Sequence, residues 1–224
     1  MESGRSFDLA VPHHYLISVP EKTAPGPLPL LIALHGYGGD MTSMLRLAQT
    51  IAGDEMASAS LQGPHQFWFP AVDSEPRRVG FGWLTPFRPA ESQLRQQEFV
   101  LRVIEEACGL YRCDPGRVFL MGFSQACALN YRFAFRWPER LRGVVSVCGG
   151  LPSDLDDPKY KPFGGGILHA AAKQDQFYEI EDARRFPDTL RRYCGDVTLF
   201  EYDSTHVFPR RALPDIRRWI LGRC

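Results

Sequence analysis

The chain has 224 residues, 44% of them apolar and 23% charged, a balance that can bury a real core. Its 26 basic and 26 acidic residues cancel to a net charge of zero, which argues against a bulk nucleic-acid binder or a polybasic membrane surface. No apolar run reaches membrane-spanning length, and the acid-bearing start Met1-Glu2-Ser3-Gly4-Arg5-Ser6 has no signal-peptide core. The six cysteines (108, 113, 127, 148, 194 and 224) form no close pairs, and Cys127 and Cys148 read as small core residues. Together these favour reduced thiols and a cytoplasmic location.

In chain order, apolar runs predict strands near 13–19, 29–34, 56–61, 117–121, 143–148, 166–171 and 197–202. Helices are predicted near 41–52, 91–111, 125–136, 179–193 and 210–221, with Pro138 and Pro209 marking boundaries. Glu21 to Pro27 is a loop. Strands alternating with helices mean an α/β protein, with a mostly parallel central sheet and helices on both faces. No repeat and no long linker divides it, so residues 1–224 read as one domain.

The second strand runs into His35-Gly36-Tyr37-Gly38-Gly39. Glycines let backbone N–H groups turn outward and approach a ligand closely, and the N–H of Tyr37 is the candidate donor. His35 reads as a structural, hydrogen-bonded histidine. The segment lacks the Lys-Ser/Thr ending of a phosphate loop.

Residues 62–90 break the β/α rhythm. Two Trp and four Phe stand among glycines and prolines, in Phe67-Trp68-Phe69 and in Gly80-Phe81-Gly82-Trp83-Leu84-Thr85-Pro86-Phe87. Two readings are compatible: a wall over an apolar pocket, for which Trp83, Trp68, Phe81 and Phe67 are the candidates, or a loop folded on its own aromatic cluster. On the first reading the Trp83 ring shares a cleft with the Ser124 hydroxyl. The polar stretch from Asp73 to Arg78 lies between, and Arg77 and Arg78 read as a solvated pair. His65 reads as a loop hydrogen-bonder.

The fourth apolar run ends in Gly122-Phe123-Ser124-Gln125-Ala126 and a helix-forming stretch follows. This is the strand–turn–helix setting of a nucleophile elbow, in which the residues two before and two after the serine crowd each other. Gly122 and the methyl of Ala126 tolerate that crowding. The N–H of Gln125 is the second candidate donor. Asp175 follows the apolar run 166–171, and His206 follows the run 197–202. A serine hydroxyl needs an imidazole to take its proton, and the imidazole needs a carboxylate to fix its tautomer. Asp203 stands too near His206 along the chain to bond its imidazole naturally, which favours Asp175. His13, His14 and His169 show no metal-ligand spacing, so neither metal nor cofactor is expected.

These motifs, in this order over residues 13–221, resemble the phospholipase/carboxylesterase family of small α/β-hydrolases, which includes the acyl-protein thioesterases. The resemblance implies an α/β-hydrolase fold whose first strands form an antiparallel edge. It also implies a serine carboxylic-ester hydrolase with Ser124 as nucleophile, Asp175 as orienting acid and His206 as base. The backbone N–H groups of Tyr37 and Gln125 would form the oxyanion hole. The implied partner is a small-molecule or lipid-like ester; a homodimer is left open. Ala126 for Gly, and Ala172 where a Gly usually stands, depart from the pattern. The rival readings are a catalytically silent ligand-binding module and a serine peptidase on the same fold.

Overall fold

Seven apolar runs pair into one sheet whose inner strands bury both of their faces. A computed structural model describes residues 7, 9–21, 26–69 and 77–224. Expectations for the first six residues, for residues 22–25 and for the polar run between Pro70 and Pro76 lie outside the described residues. The elements are β1 (Tyr15–Ser18), β2 (Leu28–Leu34), α1 (Met41–Ala52), β3 (Ala57–Leu61), β4 (His65–Trp68), β5 (Val79–Gly82), α2 (Pro89–Leu110), β6 (Cys113–Phe123) and α3 (Gln125–Arg136). They continue as β7 (Gly143–Val147), β8 (Gly166–Ala172), α4 (Ile180–Ala183), α5 (Phe186–Leu190), β9 (Asp196–Tyr202) and α6 (Leu213–Leu221).

The sheet order is β1-β3-β2-β6-β7-β8-β9, with β1 antiparallel to β3 and every other pair parallel. On one face Leu30, Ile32, Leu34, Leu120, Val144 and Ile167 meet the apolar sides of α2 and α3. On the other, Leu31, Ala33, Phe119, Met121, Val145 and Leu168 meet α1 and α6. A strand covered on both faces has no need of polar alternation, so β2 reads as the unbroken run LPLLIAL. Each such Leu, Ile or Val contributes about 1.5–3 kcal/mol on burial.

Helix ends follow local chemistry. Asp40 caps α1 by accepting the Ser43 N–H at 2.8 Å. α2 starts at Pro89, two residues before the predicted boundary, because a first-turn Pro sacrifices no hydrogen bond. The helix predicted over 179–193 is instead two short pieces, α4 and α5. Pro187 has no N–H to give and disfavours a helical residue before it. The helix predicted from 210 is a 3-10 turn, Arg210–Ala212, followed by α6, where Pro214 has the same effect. The residues 62–90 contain a feature the sequence did not reveal: β4 and β5 pair antiparallel as a separate two-stranded ribbon.

His169 lies in the core, where β8 meets α3. Its Nδ1 sits 2.8 Å from the Tyr131 hydroxyl, and Phe186 packs edge-on against the imidazole. Burial pushes its pKa from 6.5 to about 4, so folded protein holds it neutral, with Tyr131 donating. The unfolded chain binds that proton more readily. Stability is therefore full above about pH 6.5 and falls as the pH drops toward 4. The loss from this group is on the order of 3 kcal/mol. His169→Gln keeps an acceptor for Tyr131, and in urea unfolding at pH 7 and pH 4.5 it should show a smaller acid-induced loss than the parent.

Candidate active site

The carboxyl ends of β2, β6, β8 and β9 bring the candidate residues together. Ser124 links β6 to α3 with φ 55° and ψ −116°, a conformation disfavoured for any residue with a Cβ and held by its surroundings. Its N–H donates to Val147 O at 2.9 Å, and its carbonyl accepts from Cys127 N at 3.0 Å. The crowding expected of the turn is present. A Cβ on Gly122 would lie 2.6 Å from Asn130 Nδ2 and 3.1 Å from the Ala126 methyl. Only one of the two facing positions must lack a side chain, so Ala126 fits opposite Gly122. Behind the turn, a Cβ on Gly149 would lie 2.4 Å from Cys127 Sγ.

His206 Nε2 lies 2.8 Å from Ser124 Oγ, and His206 Nδ1 lies 2.8 Å from Asp175 Oδ2. The other oxygen, Asp175 Oδ1, accepts the N–H groups of Phe177 at 2.8 Å and Tyr178 at 3.1 Å. The Asp175 side chain is 1% exposed and that of His206 12%, so water does not compete strongly for the pair. Asp203 is turned outward and pairs with Lys173 at 3.0 Å. Ser146 is fully buried. Burial pushes the Cys148 thiol up to about 12 and the Cys127 thiol higher still, so neither is a thiolate near neutrality.

The His35–Gly39 loop lies against the elbow. A Cβ on Gly36 would sit 2.7 Å from the Phe123 ring and 3.1 Å from Ser124 Cβ. Within the loop, Gly38 N–H donates to Phe81 O at 2.8 Å and Gly39 N–H to Gly36 O at 3.0 Å. Among the described residues, the N–H groups of Tyr37 and Gln125 have no acceptor. His35 is structural, as expected. Its Nδ1 is 2.8 Å from Gly36 O, where only a protonated nitrogen is useful, leaving Nε2 to accept from Gly63 N at 2.9 Å. Burial lowers its pKa and favours that neutral form.

This fold is shared with solved structures. The Bacillus cereus carboxylesterase superposes with a TM-score of 0.72 at 17% identity, covering 95% of each chain. Acyl-protein thioesterase 2 of Zea mays superposes with a TM-score of 0.67 at 15% identity, over 94% of this chain and 98% of that one. The chain has the α/β-hydrolase fold. In sequence it is 34% identical over 134 residues to the "Putative esterase NocK" of Nocardia uniformis subsp. tsuyamanensis; the match spans 58% of this chain and 35% of that relative. No protein-family model matches the chain.

The aromatic insert departs from expectation. Trp83 does not share a cleft with the Ser124 hydroxyl. Its ring is fully buried, Nε1 donates to His35 O at 2.8 Å, and its N–H donates to Gln125 Oε1 at 2.8 Å. An indole with every face packed cannot touch a substrate; here it braces the His35–Gly39 loop against α3. Strand alternation separates the other candidates. Phe67 stacks on Tyr37 at 4.5 Å, whereas Phe81 and the 64%-exposed Trp68 stand on the opposite face of the ribbon. Phe69 wedges between Gly38 and Gly80, where a Cβ would approach its ring to 2.3 and 2.2 Å. Arg78 is exposed, as expected, and its guanidinium also lies over the Phe69 ring at 3.9 Å.

Sequence reading missed Phe177 and Tyr178. Phe177 meets the His206 ring edge-on at 4.8 Å, and Tyr178 lies 5.7 Å from it. Both line a groove of about 420 Å³ with Leu151 and Phe186. Their positions just after Asp175 were the available signal. Among the described residues, no group of three or more His, Cys, Asp or Glu side chains gathers as a metal site, and no helix is long and apolar enough to cross a membrane.

Trp83→Ala should remove about 3–5 kcal/mol of stability. Thermal unfolding should drop by about 2–4 °C for each kcal/mol lost.

Proposed function

We propose that this protein is a serine hydrolase of carboxylic esters and belongs with the small carboxylesterases and acyl-protein thioesterases that share its fold. The observation that carries the reading is the continuous hydrogen-bond chain Ser124 Oγ – His206 – Asp175 Oδ2, with both links at 2.8 Å. A lone buried serine or histidine has no need of such a chain, whereas acyl transfer requires every link.

His206 Nε2 takes the hydroxyl proton as Ser124 Oγ bonds to the ester carbonyl carbon. Asp175 holds the Nδ1 proton and balances the imidazolium charge. The carbonyl oxygen becomes an oxyanion facing the N–H groups of Tyr37 and Gln125, which are not committed elsewhere among the described residues. Collapse of the tetrahedral intermediate breaks the bond to the alcohol oxygen, which leaves with the proton from His206. Water then repeats the sequence: His206 removes its proton, hydroxide attacks the acyl-enzyme, and Ser124 recovers its proton as the carboxylic acid departs.

The groove beside His206 supports an apolar group on one side of the scissile bond, because Phe177, Tyr178, Phe186 and Leu151 form one wall of it, facing Glu179, Asp182, Arg185 and Thr189. Phe67, stacked on Tyr37 at 4.5 Å, places one ring of the aromatic insert on the proposed oxyanion loop. A panel of p-nitrophenyl esters of increasing chain length, run beside a thioester and a lysophospholipid, assigns the substrate class. Phe177→Ala should change chain-length preference with little change in stability, since its ring is 68% exposed.

Ser124→Ala should abolish ester hydrolysis and labelling by a fluorophosphonate probe, with circular dichroism unchanged. Labelling retained at the parental rate would remove Ser124 as nucleophile. Asp175→Asn should lower kcat by roughly 10⁴-fold through the wrong imidazole tautomer. Asp203→Asn should change kcat less than threefold, about 0.65 kcal/mol.

A further inference from the structure

A second cavity opens between the N-terminal segment and the first turns of α2. It measures about 520 Å³ and shares no lining residue with the groove beside His206. Its composition is divided. Phe7, Leu9, Val11 and Pro64 supply apolar walls, and Phe7, Leu9 and Val11 are 83%, 76% and 67% exposed. Such a run is costly to leave in water. His13, His65, Arg88 and Arg95 supply the polar wall.

Among the described residues the charge there is unbalanced. Glu91, the acidic group in the lining, pairs with Arg88 at 2.7 Å. Arg95 has no ion-pair partner among the described residues, and it faces both imidazoles. His13 Nδ1 is shielded from water and has no hydrogen-bond partner. His65 Nε2 lies 3.1 Å from Ser92 Oγ on α2. One turn on, along the same helix face, Gln96 is buried with both amide atoms unpartnered. Burial comes first in lowering both imidazole pKa values, and Arg95 adds repulsion to each; His14 adds to that on His13. An arriving anion would relieve that repulsion and give His13 and Arg95 a partner.

We propose that this cavity binds an amphiphilic anion: a carboxylate or phosphate group held by Arg95, His13 and His65, with its apolar chain against Phe7, Leu9, Val11 and Pro64. Acetate and inorganic phosphate offer the charge without the chain. An uncharged alkyl chain offers the reverse. Neither satisfies both walls. The site also connects to the proposed oxyanion loop. His65 pairs with Gly82 across the ribbon, and the neighbouring Phe81 carbonyl receives the Gly38 N–H.

The test is an NMR titration of the His13 and His65 ring protons with octanoate, acetate, inorganic phosphate and octanol. Octanoate should shift both sets of signals saturably and raise both pKa values, with acetate, phosphate and octanol each at least tenfold weaker. Arg95→Gln should weaken octanoate at least tenfold, and Arg95→Lys should stay within about threefold of the parent. That difference is 1.4 kcal/mol against about 0.65 kcal/mol. Because Arg95 is exposed, neither change threatens the fold, and circular dichroism verifies it. The proposal is overturned if the ring signals do not move, if acetate or phosphate matches octanoate, or if Arg95→Gln binds like the parent. The readout needs no turnover, so it stands apart from the assignment of Ser124.

Discussion

The turn at Ser124 is the constraint around which the surrounding structure is organised. A residue with a side chain is held at φ 55°, a conformation that costs of order 1–3 kcal/mol and persists only when neighbours over-determine it. Those neighbours can be named. Val147 O and Cys127 N tie down the backbone on either side of the serine. Gly122, Gly36 and Gly149 each stand where a Cβ would collide with the turn, at 2.6, 2.7 and 2.4 Å from the nearest atoms. Two segments distant in sequence, at Gly36 and at Val147–Gly149, thus converge on this turn, and the missing side chains are what let them come so close.

The same economy shapes the opposite wall. Gly38 and Gly80 leave space for the Phe69 ring, and Gly63 packs against Gly82 with no side chain between them. The ribbon β4–β5 can therefore lie directly on the His35–Gly39 loop. Trp83 then links that loop to α3 through His35 O and Gln125 Oε1. Gln125 consequently does two things. Its side chain holds the insert, and its N–H stays free beside the serine. Rigidity of this kind suits the proposed oxyanion hole, since a loose donor loses most of its worth.

Legibility in the sequence varied with the range of the interaction that decided each feature. The seven sheet strands were readable because burial on both faces demands apolar runs such as LPLLIAL, whatever the tertiary details. Helix α1 has its cap at Asp40, and α3 has Pro138 just past its end. The ribbon was hidden because four-residue strands rich in glycine carry no period strong enough to detect. The breaks at Pro187 and Pro214 were visible in principle, as each proline stood inside a predicted helix. Trp83 was misassigned because the preceding Gly80 and Gly82 suggest access to a cleft as readily as they suggest tight packing.

The sequence by itself determined the class of fold, the order of the candidate residues and their setting at the ends of apolar runs, because strand burial and turn sterics act over a few neighbouring residues. Only the tertiary structure decided which carboxylate meets His206: Asp175 reaches its Nδ1 at 2.8 Å while Asp203 turns out to Lys173. It likewise decided which aromatics meet the His206 ring. Phe177 and Tyr178 do so because their N–H groups bind the same Asp175 carboxylate that holds the imidazole, and Trp83 does not because it fills the space behind the loop. Those choices rest on contacts between residues tens of positions apart, and chain spacing carries no record of which side chains a folded sheet will bring within hydrogen-bonding distance.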